Sequence, residues 1–238
     1  MSETMTITER MEKLLQRWEK DSDRRAVFLS CYRLMTHNML QAIQASEFHD
    51  QEWVDKLLNH FAGYYFDALE AYEQASPRTP EVWQIAYDAA RQPKTEVLQN
   101  LLLGVNAHIN YDLVLALVDM LEPEWAQLSE ERRNQRYADH CHVNEVIGRS
   151  VDSVQANVVE PLEPALEIAD ELLGPIDEWM TSKLLSHWRE AVWKQALSLV
   201  KSDPQQRERL RKQVEIETLR RAQAILLKRG LQTLADLI

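Results

Sequence analysis

Glycine and cysteine are both scarce in this chain: 238 residues hold five of the first and two of the second. No Gly-rich phosphate loop and no nucleophile elbow can be found, and His-Glu-x-x-His and the Glu-x-x-His pair of di-iron bundles are missing too. Cys31 and Cys141 show no zinc-finger or redox spacing. A chain of this length buries enough surface to need neither a disulfide nor a structural metal. Both cysteines therefore read as small buried hydrophobes in a reducing compartment. The polar start MSETMTITERMEK has no apolar core of a secretory signal, so the expected location is cytoplasmic.

Positive charge is also short. The net charge is −11, which argues against nucleic acid as a partner, because phosphate binding needs clustered Lys and Arg. The exception is 205–229, where Arg207, Arg209, Arg211, Lys212, Arg220, Arg221, Lys228 and Arg229 outnumber Glu208, Glu215 and Glu217. Such a helix is either a solvated face or a surface for self-association. The one long apolar run, 97–121, could cross a bilayer by length. It carries Asn106, His108, Asn110 and Asp112 at its middle, where a membrane would penalise them most, so no span is expected.

Helix signals fill the rest. Thr6-Ile-Thr-Glu9 has the form of a capping box. Phe28, Leu29, Tyr32, Met35, Met39 and Ile43 recur at helical steps, as do Trp53, Leu57, Phe61, Tyr64, Ala68 and Ala71 behind a capping Asp50. Thr79-Pro80 and Ser129 open further helices, and Pro93, Pro123, Pro161, Pro164 and Gly174-Pro175 separate them. A Trp-rich helix with Trp179, Trp188 and Trp193 follows, and Asp203-Pro204 starts the last one, with Gly230 placed to end it. The pattern predicts an all-α fold: one domain over 1–238, a multi-helix bundle around a central buried helix at about 95–121, with 203–238 as a peripheral basic helix.

The central helix holds the chemistry. His108 and Asp112 are four apart and share a face; Asn106 and Asn110 share a nearly opposite one. Surrounded by apolar residues, each of these groups needs a partner. Gly104, one turn before His108, offers room for a close approach. The His–Asp pair fits either a structural hydrogen-bonded network or two ligands of zinc, iron or manganese. A metal site would take Asp139 as third ligand, with His140, His142 and His60 as competitors, and Asn106, Asn110 or Asn144 in support.

Asn106-Ala-His-Ile-Asn-Tyr-Asp-Leu113, with Leu-Leu-Gly before it, resembles the signature of the mainly bacterial, all-helical domain-of-unknown-function family 5995. Trp53-Val, Phe61-Ala, Tyr65-Phe66, Trp83, Asp139, Val143-Asn144 and Arg189 to Ala196 fit in the same order. The resemblance implies the fold and the polar cluster, and no substrate. His108-Ile-Asn-Tyr-Asp112 also looks like a fragment of helical zinc-dependent phospholipases and nucleases. No histidine follows in 114–121, which restricts that likeness to a single metal.

Two functions are expected from these residues. One is a metal-dependent enzyme, a hydrolase of a small molecule or ester, with one divalent metal on His108, Asp112 and Asp139. The other is a non-catalytic binder of a small ligand or partner, with Met35, Met39, Tyr64, Tyr65 and Tyr111 around a pocket and the polar cluster as a network.

Overall fold

Helix ends decide the layout, and the first three helices end without glycine. The computed structural model describes residues 5–149 and 184–227. Helix α1 (Ile7–Lys20) opens on the expected capping box, in which Thr6 and Glu9 exchange hydrogen bonds with each other's backbone. Helices α2 (Ala26–Gln44) and α3 (Gln51–Glu73) follow, the latter capped by Asp50 on the Trp53 N–H. Ser22, Ser46 and Ala75 each stand at a positive φ just beyond α1, α2 and α3. In each case the next N–H reaches back to the carbonyl five residues before it, as Asp23 does to Trp18 at 2.7 Å, so these serve as Schellman ends usually given to glycine.

Helix α4 (Glu81–Ala90) starts one residue later than Thr79-Pro80 suggested, with Pro80 as N-cap. Next comes the central helix, α5 (Val97–Ala107) and α6 (Leu113–Leu121), joined by a π-helical turn, His108–Asp112. In that turn the Leu113 N–H donates to the His108 carbonyl, five residues back. The sequence pattern had suggested an uninterrupted α-helix. Helices α7 (Glu130–Gly148), α8 (Leu185–Val200) and α9 (Pro204–Leu227) complete the described elements. The expected breaks at Pro161, Pro164 and Gly174-Pro175, together with Trp179 and Gly230, lie outside the described residues.

Two apolar clusters share the central helix. The first joins Met11, Leu15 and Trp18 of α1 to Phe28, Tyr32, Tyr65, Trp83 and α5, and takes in Ala222 and Ile225 of α9. The second joins Phe48, Trp53 and Phe61 to α6, Trp188 and Trp193 of α8 and Val214 of α9. The π turn sits at their junction. Val97–Leu121 is long and apolar enough to cross a membrane, and 83% of its most apolar window is buried inside this fold. Helix α9 lies along the central helix: Gln99 Nε2 donates to the Ile225 carbonyl and Asn106 Nδ2 to the Thr218 carbonyl.

Candidate functional site

The π turn presents its two polar pairs in opposite directions. On one side Asn110 Nδ2 donates to Asn106 Oδ1 at 3.1 Å, and Asn106 in turn holds the Thr218 carbonyl. The Thr218 hydroxyl answers by donating to the Asn110 carbonyl at 3.1 Å. These asparagines tie α9 to the central helix. On the other side His108 Nδ1 meets Asp112 Oδ2 at 3.0 Å, and the same oxygen accepts the Trp83 indole N–H at 2.9 Å.

An aromatic shell encloses the imidazole. The Phe61 ring stacks on it at 3.6 Å between centroids, and Tyr32 meets it edge-on at 4.3 Å. Phe28, Tyr65 and Trp83 stand behind these. His108 is 3% and Asp112 1% exposed. Burial alone holds the imidazole well below its usual pKa. Burial also pushes the Asp112 carboxyl well above the carboxylate range, against the pull of the Trp83 donor. A low-dielectric shell of this kind favours a pair without net charge. The second nitrogen, Nε2, is buried and has no hydrogen-bond partner among the described residues.

Gly104 makes the shell possible. A Cβ there would lie 2.4 Å from Phe28 Cγ and 2.8 Å from Phe28 Cβ, so α2 and α5 approach each other across its missing side chain.

The other expected site residues are placed elsewhere. The Asp139 carboxylate accepts the N–H groups of His49 at 2.7 Å and Asp50 at 3.0 Å, which fixes α7 to the start of α3. His140 is buried, with Nε2 on the Arg189 carbonyl, while Asn144 accepts from Arg189 Nε. His142 is half-buried between Glu47 and Glu145. His60 is exposed and shares Asp119 with the Tyr64 hydroxyl. Tyr65 is buried in the aromatic shell and Tyr111 half-buried between the two core clusters. Among the described residues no three His, Cys, Asp or Glu side chains gather as a metal site requires, so His108, Asp112 and Asp139 do not converge.

A cavity of about 150 Å³ opens beside the imidazole. Its wall is formed by α2 (Phe28, Cys31, Tyr32, Met35, Thr36, Met39), by α3 (Val54, Leu57, Leu58, Phe61), and by the central helix with Val143, Ile147 and Leu185. Among the described residues polar groups enter only as Tyr32, Thr36, His108 and Arg189. Met35 and Met39 lie where a pocket was expected; Tyr64, Tyr65 and Tyr111 are not in the wall. Burial pushes the Cys31 thiol up to about 12, so it stays protonated and unreactive.

Sequence reading missed Trp83 as the partner of Asp112, and Arg189. The second had a signal: it stands on the apolar stripe Leu185, Trp188, Val192, Trp193, Ala196. Trp83 had none, because 29 residues separate it from Asp112.

The sequence profile of a family described as "Family of unknown function (DUF5995)" matches residues 5–228. The chain belongs to that family. No curated protein and no solved structure matches it. In this DUF5995 chain the matched span takes in α1 and the whole of the basic helix α9, both of which lay beyond the motifs of the sequence resemblance.

Proposed function

We propose that this protein binds a small apolar molecule in the cavity beside His108, and that the His108–Asp112–Trp83 set is a structural polar network forming part of its wall. The cavity carries the reading. A space of about 150 Å³, lined mainly by apolar side chains among the described residues, is of a size that takes up benzene-sized guests. The mainly apolar lining favours an apolar ligand body over a polar one.

The test uses neutral probes: benzene, toluene and indole, with the melting temperature as readout. Binding to the native state alone at a hundred times Kd adds about 2.7 kcal/mol of stability. The expected result is a rise in Tm that disappears in Leu57→Trp, which fills the space. No rise with any probe, and no probe density in soaked crystals, would overturn the reading.

One observation favours a metal-dependent hydrolase as a second reading: His108 Nε2 is buried and without a partner among the described residues, and could accept a cation. The donor set around it is thin, since Asp112 Oδ2 is already shared by the Trp83 N–H and His108 Nδ1 and Asp139 is committed to backbone N–H groups. Elemental analysis of untagged protein separates the two. One equivalent of zinc, iron or manganese, lost in His108→Ala, supports the hydrolase; none after reconstitution ends it.

A further inference from the structure

Arg189 is a buried cation with no acidic partner among the described residues. It is 4% exposed, and it belongs to the cavity wall. Its Nε donates to Asn144 Oδ1 at 2.7 Å and its Nη2 to the His140 carbonyl at 2.9 Å, with His140 Nδ1 at 3.4 Å. All of these are uncharged acceptors. His140 is held neutral by burial and by Arg189 itself, and its Nε2 is taken by the Arg189 carbonyl. Among the described residues Nη1 donates to no group, and no carboxylate pairs with the guanidinium. The remaining buried arginines contrast with it: Arg25 pairs with Asp23 and Glu73, and Arg136 with Asp50 and Glu124.

Burying a charge without an opposite one forfeits its hydration with no return. Burial lowers the Arg189 pKa only to about 10, so the charge persists at neutral pH. A guanidinium with one edge engaged by neutral groups and the other free is shaped to receive a carboxylate.

We infer that the occupant of the cavity is a small monocarboxylate, its carboxylate on the Nη1 edge of Arg189 and its apolar body in the space flanked by Met39, Phe61 and His108. This rests on reading the cavity as a binding site. Arg189 is the only Lys or Arg in the described wall, so a second negative charge would go unpaired. That selects a monoacid over a dicarboxylate or a phosphate monoester. The volume selects a body near the size of one aromatic ring or a short alkyl chain.

Matched pairs test it: phenylacetate against 2-phenylethanol, and hexanoate against hexanol, by calorimetry. Each acid should bind the wild-type protein about 10- to 100-fold more tightly than its alcohol, the range expected of hydrogen bonds to a charged group. Arg189→Met should erase that preference and leave the alcohol's affinity nearly unchanged. Should that variant fail to fold, the wild-type pairs still decide, together with the Arg189 guanidinium NMR resonances. These should shift with phenylacetate and hold still with 2-phenylethanol. Alcohols that bind as well as acids would overturn the carboxylate and leave the cavity reading standing; if neither class binds, both fall. Inorganic phosphate that competes as strongly as phenylacetate would also overturn it, by showing an anion site with no use for the apolar body.

Discussion

His108 and Phe61 lie face to face, their ring planes 9° from parallel. A stacked imidazole with its Nδ1 on a buried carboxyl is a ring whose protonation the protein opposes. The pH dependence of folding follows from that opposition.

In the unfolded chain Asp112 titrates near 3.9 and His108 near 6.5. In the folded protein the first is raised and the second lowered. The raised carboxyl keeps a proton that the unfolded Asp112 loses, so its contribution falls as pH rises from about 4 through the folded pKa. The lowered imidazole acts the other way: its contribution is present above about 6.5 and is lost as pH falls. Asp112→Asn should abolish the alkaline fall, which approaches about 1.4 kcal/mol per pH unit. Urea denaturation from pH 6 to 9 measures it; parallel wild-type and variant curves would refute the shifted carboxyl.

Trp83 shares Asp112 Oδ2 with His108, so their effects are coupled. Trp83→Phe should destabilise by about 1–3 kcal/mol, through the lost N–H donor and the smaller ring. Combined with Asp112→Leu it should cost less than the sum of the single changes. A double-mutant cycle gives the coupling energy directly.

Gly104→Ala sets helix propensity against packing. Alanine is favoured in a helix by about 1 kcal/mol. The 2.4 Å clash with Phe28 forces the helices apart or the ring off its rotamer, at about 1–3 kcal/mol. Net destabilisation is expected, with a shift of the His108 ring resonances as the shell opens. Phe28→Ala in the same chain should relieve only part of it, because Phe28 Cβ itself lies 2.8 Å from the added methyl.

At the end of α3, Ala75 holds a φ of 49°. An L side chain in this region carries a strain of about 1 kcal/mol, which glycine avoids. Ala75→Gly should therefore stabilise the protein slightly, despite the greater freedom of the unfolded chain. Calorimetric Tm decides the sign.

Asp139→Asn turns one of its two acceptor oxygens into a donor, which then faces one of the two backbone N–H groups of His49 and Asp50. The change should destabilise by about 1–3 kcal/mol through that one unanswered donor. On the structural reading it leaves the binding of neutral probes at the cavity unaltered. The metal reading expects instead a loss of bound metal, and elemental analysis distinguishes them.

What the sequence determined on its own was local. Helix caps at Thr6, Asp50 and Ser129, the His108–Asp112 contact and the Asn106–Asn110 bond all join residues three or four apart, where one turn of helix brings them together whatever the rest of the chain does. Only the tertiary structure decided what those pairs face. Trp83, Phe61, Thr218 and Arg189 reach the central helix or its cavity from distant helices, and side-chain pattern does not encode which helix lies opposite which. Asp139 shows the same limit: its spacing suited a metal ligand, and the packing of α7 against the start of α3 gave it two backbone amides instead. Burial then set the chemistry, because an imidazole, a carboxyl and a guanidinium change character according to how much water surrounds them, and that is a property of the packed fold.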